Sequence, residues 1–98
     1  MYNQNLLNVE ERNAMFPDTF EILESDFRQN LEVGSYAQIC LEAEGENGER
    51  FWTQITQRET VDGLIVYKAT VENDLIIYNL PIHSFVSFGP EHVLKVMA

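Results

Sequence analysis

Between Ser35 and Val71 apolar and polar side chains alternate, and the alternation predicts three strands joined by two short hairpins. In the first, Ala37, Ile39 and Leu41 face one way while Tyr36, Gln38, Cys40 and Glu42 face the other, as a half-buried strand requires. Asn47-Gly48 supplies a hairpin turn, because both residues tolerate positive φ. The next strand, residues 50–58, sets Phe51, Thr53 and Ile55 against Trp52, Gln54 and Thr56. Asp62-Gly63 then leads into 64–71, whose β-branched residues favour a strand.

The flanks are less regular. Leu6, Val9 and Phe16 form a weak helical stripe without a strong cap, a short helix or an arm that Pro17 ends. Thr19 to Ile22 alternates like a short strand. Residues 25–32 have the spacing of two helical turns capped by Ser25, with Gly34 as the stop. After the third strand, Ile76 to Leu80 is an apolar run halted by Pro81. Ser84 to Phe88 is a clear strand, and Val93 to Val96 closes the chain as a short strand or helical turn.

These elements predict one mainly β domain over residues 1–98, with 1–16 as the arm or short helix and 17–98 as the β-rich core. Five to six short strands and one or two short helices fit a small antiparallel curled sheet or an SH3-like barrel. An open sheet with a helix on one face is the alternative.

Composition narrows the class. The 98 residues are 45% hydrophobic and 22% charged, the profile of a chain that folds unaided. No apolar stretch approaches the roughly 18 residues of a membrane span, and the first residues lack the zones of a signal peptide, so the expected location is the cytoplasm. The lone Cys40 agrees with a reducing compartment and reads as a small strand residue.

Charge changes the picture most. Sixteen acidic against six basic side chains give a formal net charge of −10, and residues 1–49 carry −9 of it. Direct nucleic-acid binding is disfavoured, since phosphate contacts need a basic footprint. A protein partner with a basic surface is the natural complement.

Four phrases carry a resemblance: Phe16-Pro17-Asp18-Thr19-Phe20-Glu21-Ile22, Gly48-Glu49-Arg50-Phe51-Trp52, Val71-Glu72-Asn73-Asp74-Leu75 and Phe88-Gly89-Pro90-Glu91-His92-Val93. With them the chain resembles a group of short uncharacterised bacterial and phage proteins, over residues 16–96. It departs from that group at Gly34-Ser35, where members often have Gly-Asp, and near Ile82-His83-Ser84, where another Gly-Asp is missing. The resemblance implies a domain boundary and no activity.

Candidate chemistry is sparse. His83 and His92 lie on different elements with no cysteine or carboxylate pair at zinc-type spacing, so no metal is expected; both read as surface or turn histidines, His92 bonding across the final turn. Phosphate-cradling and nucleophile-elbow patterns are absent, and the expectation is a non-enzymatic protein with no catalytic residues and no cofactor.

The binding residues nominated are Trp52 and Tyr36, as an exposed aromatic patch, together with the acids Glu42, Glu44 and Glu46. A barrel closing over Trp52 would instead bury it. Arg50 is placed to pair with Glu42 across the hairpin. Along a continuing strand the three glutamates would share one face at about 6.7 Å spacing, near twice the roughly 3.4 Å rise per nucleotide. The functional expectation is therefore an acidic protein-binding module. A nucleic-acid-mimicking inhibitor of a basic DNA-handling enzyme, as phages and mobile elements use against host defences, is the alternative, as is a toxin-neutralising immunity protein. Leu64 to Val71, read as an exposed edge, leaves monomer and homodimer both open.

Overall fold

The computed structural model describes residues 5–42 and 48–97. Its five strands are β1 (Tyr36–Leu41), β2 (Glu49–Val61), β3 (Leu64–Val71), β4 (Phe85–Phe88) and β5 (Lys95–Met97). They form one antiparallel sheet in the order β4-β3-β2-β1-β5. Of the two forms expected, the molecule takes the curled sheet; it does not close into a barrel. A straight strand as long as β2 would span about 40 Å, against a molecule of 31 × 30 × 26 Å. The break in register between Ile55 and Gln57 supplies the bend.

The alternation read from the sequence sets the two faces. Ala37, Ile39, Phe51, Ile55, Ala69 and Val71 point into the main core with Tyr67, Val86 and Phe88. Each large apolar side chain buried there contributes roughly 1.5–3 kcal/mol. Thr53 is fully buried among them and donates its hydroxyl to the Ala37 carbonyl at 2.8 Å. At the β2–β3 turn Asp62 and Gly63 both have positive φ, 52° and 81°, the two-residue loop whose twist matches the strands.

Helix α1 (Val9–Met15) is better started than its sequence suggested: Asn8 Oδ1 accepts the Glu11 N–H at 3.0 Å, and Glu10 and Glu11 sit in the first turn. Helix α2 (Ser25–Gln29) is shorter than expected. Glu24, not Ser25, is its cap residue, and Asn30 ends it. Gly34, at φ 98°, turns the chain into β1, where its N–H reaches the Ile55 carbonyl at 2.8 Å. A 3-10 turn (Pro90–His92) precedes β5.

Several expectations are corrected. Thr19 to Ile22 forms no strand; its backbone is held by Asn13, which donates to the Phe20 carbonyl at 2.7 Å. The apolar run Ile76 to Leu80, to which no element was assigned, is irregular, the N–H groups of Ile76, Ile77 and Tyr78 going to the Glu49 side chain. Leu64–Val71 is not an edge along its whole length: β3 lies between β2 and β4, and β4 covers it from Tyr67 to Thr70. The outer edge of β1 is shared, by residues 5–7 near Cys40 and by β5 near Tyr36.

Candidate functional site

The face of the sheet opposite the main core carries both nominated aromatics. Trp52 stands opposite Gln38 and Tyr36 opposite Gln54, so the two rings are diagonal neighbours on adjacent strands. Both are half-buried, between the exposed and the closed-over forms considered for Trp52. Register places Tyr36 in a row that crosses the whole sheet: Met97, Tyr36, Gln54, Thr70, Phe85. The row ends in exposed apolar side chains on the two edge strands, Phe85 at 72% and Met97 at 53%.

Beside that row lies a second, Lys95, Gln38 and Trp52. The Gln38 side-chain oxygen is buried with no hydrogen-bond partner, the only such side-chain atom among the described residues. Such an acceptor forfeits about 1–3 kcal/mol. Glu72 extends this second row, its N–H bonding the Trp52 carbonyl at 2.8 Å while its carboxylate accepts from Thr70 at 2.7 Å.

Of the three nominated acids, Glu42 alone lies within the described residues, and its partner differs from the one expected. Glu42 accepts from Arg12 through both oxygens, at 2.9 and 3.1 Å, rather than from Arg50. Arg12 also lies over the Phe20 ring, 5.9 Å from its centroid. Strand β1 stops at Leu41, and Glu44 and Glu46 lie outside the described residues. Cys40, on the same face as Trp52, is covered by Leu7, Val9 and Leu94. Burial first, then the Glu42 charge, pushes its thiol pKa up, which keeps the sulfur a poor nucleophile.

Two of the four phrases singled out in the sequence meet in space. Glu49, at the start of β2, accepts three consecutive backbone N–H groups, from Ile76 at 2.5 Å, Ile77 at 2.7 Å and Tyr78 at 3.1 Å. Three residues along, the Trp52 N–H donates to Asn73 Oδ1 at 2.6 Å. The Gly-Glu-Arg-Phe-Trp and Asn-Asp-Leu phrases are thus two halves of one clasp between β2 and the β3–β4 loop. Burial alone would raise the Glu49 pKa, but the three N–H bonds favour its charged form and the net displacement is downward. Sequence reading missed this residue, because nothing in the pattern shows which loop turns its N–H groups inward.

The last phrase is a second knot. His92 Nδ1 accepts the Gly89 N–H at 3.0 Å, as expected across the turn, yet the ring is buried rather than on the surface. Arg28, 3% exposed, donates to Glu10 at 2.7 Å, the Leu23 carbonyl at 2.7 Å and the Pro90 carbonyl at 3.0 Å. His83, by contrast, is exposed at φ 69° with Glu72 3.8 Å away.

Two hollows flank the hairpin. One of about 380 Å³ lies between Asn8, Glu10, Gln29, Ile65, Pro90 and Glu91. The other, about 480 Å³, is open to the Trp52 side of the sheet and lined by Val61, Leu64, Val66 and the Glu59–Lys68 pair. Among the described residues no three His, Cys, Asp or Glu side chains converge as metal ligands, and no helix is long and apolar enough to cross a membrane. Comparison with family models, curated proteins and solved structures returns no match to this chain.

Proposed function

We propose that this chain is a non-enzymatic module that binds another protein through the Trp52 face of its sheet, with a partner whose contact surface is basic. The observation that carries the reading is the cross-sheet row ending in exposed Phe85 and Met97, with Tyr36 within it and Trp52 beside it. Half-buried aromatics anchored on strands present large area at low entropic cost, which is what interface anchors need. The unpaired Gln38 oxygen adjoins them, and a net charge of −10 steers a basic partner toward the molecule.

The acids Glu42, Glu44 and Glu46 belong to this reading as the rim. Glu42 already shares its charge with Arg12, so the periodic stripe that a nucleic-acid mimic needs starts on an engaged carboxylate. Capture from a bacterial lysate at about 0.1 M and 1 M salt tests the proposal, with wild type beside Trp52→Ala. The expected result is a stoichiometric partner that survives high salt with wild type and is lost with Trp52→Ala, whose thermal unfolding stays cooperative. Recovery only at low salt, with displacement by duplex DNA, would replace this reading with the mimic. A partner untouched by Trp52→Ala would overturn the choice of face.

A further inference from the structure

From Leu75 to Pro90 the chain has no Asp, Glu, Lys or Arg, although sixteen acids and six bases are spread over the rest. The first half of that run is the loop held by Glu49. Its side chains divide into two sets. Leu75, Tyr78 and Leu80 are half-buried against the main core. Ile76, Ile77 and Ile82 face solvent, at 92%, 49% and 46% exposure.

Single exposed apolar residues are ordinary on protein surfaces, but three solvent-facing isoleucines within seven residues of uncharged chain concentrate apolar surface on one loop. The loop is also fixed at both ends and in the middle. Asn73 is tied to Trp52, Glu49 takes the N–H groups of Ile76, Ile77 and Tyr78, and the His83 N–H reaches the Val71 carbonyl at 2.7 Å. A loop ordered before it meets a partner loses less entropy on binding.

We propose that residues 75–82 form a preformed apolar docking element, held outward by the Glu49 clasp, that enters an apolar cleft with a basic rim on a protein partner. This rests on the protein-binding reading above but uses a surface that can be mutated separately from Trp52. The basic rim follows from charge. Asp74 is exposed at the start of the loop, Glu72 precedes it, and the whole chain carries −10. A second copy of the chain would bring the same negative charge to the contact, and so would an anionic bilayer.

The test is selection from a displayed library of random peptides on wild-type protein, followed by affinities of the winners for variants. Enriched peptides should combine aromatic or aliphatic residues with Arg or Lys. Their Kd should rise about tenfold or more in Ile76→Asp, and in the milder Ile76→Ser, as truncation of an anchor does. Trp52→Ala should leave these peptides bound. Glu49→Gln, which keeps the isoleucines but loosens the clasp, should weaken them as well.

No enriched motif, or peptides indifferent to both Ile76 variants, would overturn the proposal. Peptides lost with Trp52→Ala alone would overturn it while sparing the sheet-face reading. Sedimentation showing a wild-type dimer that Ile76→Asp dissociates would assign the patch to a second copy. Co-flotation with phosphatidylcholine–phosphatidylglycerol vesicles, abolished by Ile76→Asp, would assign it to a membrane surface. Either result sinks the proposed partner.

Discussion

The Tyr67 hydroxyl donates to the Arg28 carbonyl at 2.7 Å and accepts the Leu31 N–H at 3.2 Å, so one phenol on β3 closes both backbone groups at the end of α2. Tyr67 is fully buried with Phe88 against it, ring centroids 5.7 Å apart. Tyr67→Phe keeps the ring and removes only the hydroxyl. Two buried backbone groups then lose their partner, and the expected cost is about 1–3 kcal/mol. Urea unfolding should show a lower midpoint at unchanged slope. A loss within a few tenths of a kcal/mol would mean that the α2 end is satisfied without Tyr67.

His92 gives the molecule a pH dependence near neutrality. Burial pushes its pKa below the ordinary 6.5, against the opposing pull of Glu91 and Glu10. With the folded value depressed, the unfolded chain binds the proton first. Stability is therefore complete above about pH 6.5 and declines as pH falls toward the lowered folded value. His92→Asn offers Oδ1 to the Gly89 N–H in place of Nδ1 and cannot take a proton in this range. Thermal midpoints measured from pH 7.5 to 5 should fall for wild type and run flatter for the variant. Parallel curves would place the titration elsewhere.

Glu49 acts lower on the scale. Its folded pKa lies below the ordinary 4.5, so the clasp stabilises the fold above that value, and the contribution is lost as pH falls through the folded pKa. In Glu49→Gln the amide carbonyl replaces a charged acceptor that served three donors. Amide exchange at Ile76, Ile77 and Tyr78 should quicken in the variant at pH 7, while the ladder between β1 and β2 keeps its protection. Uniform acceleration across both regions would show that Glu49 supports the whole sheet rather than the loop.

How much of this was legible depended on which residues face each other. The three central strands and the Asp62-Gly63 turn follow from period-two alternation, because each side chain that points inward meets another from the next strand. Trp52 and Tyr36 could be put on one face for the same reason. Their diagonal offset depends on a register that no local pattern states. The pairing of Glu42 was missed because the actual partner, Arg12 rather than Arg50, lies 30 residues away, whereas Cys40 is the small strand residue expected, its cover by Leu7, Val9 and Leu94 being invisible to local pattern. For Ile76 to Leu80 the apolar run by itself assigned no element, because apolar content does not say which side chains turn inward. Only Leu75, Tyr78 and Leu80 turn toward the core, and the absence of charge from Leu75 to Pro90 is the signal that could have pointed to a surface.

Gly48 opens the Gly-Glu-Arg-Phe-Trp phrase for a reason of space. A Cβ placed there would stand 2.9 Å from Cys40 Sγ and 3.5 Å from the Leu41 carbonyl oxygen. Cys40 is buried with Leu7, Val9 and Leu94, so its sulfur has little room to retreat. Gly48→Ala should therefore destabilise by about 1–3 kcal/mol, the usual scale of overpacking. Cys40→Ala alone removes the sulfur and costs a smaller cavity term. If the contact is the cause, the double variant Gly48→Ala/Cys40→Ala recovers most of the loss, and the cycle gives a coupling energy above about 0.5 kcal/mol. Additive losses would mean that the backbone at Gly48, and not the nearby sulfur, excludes a side chain.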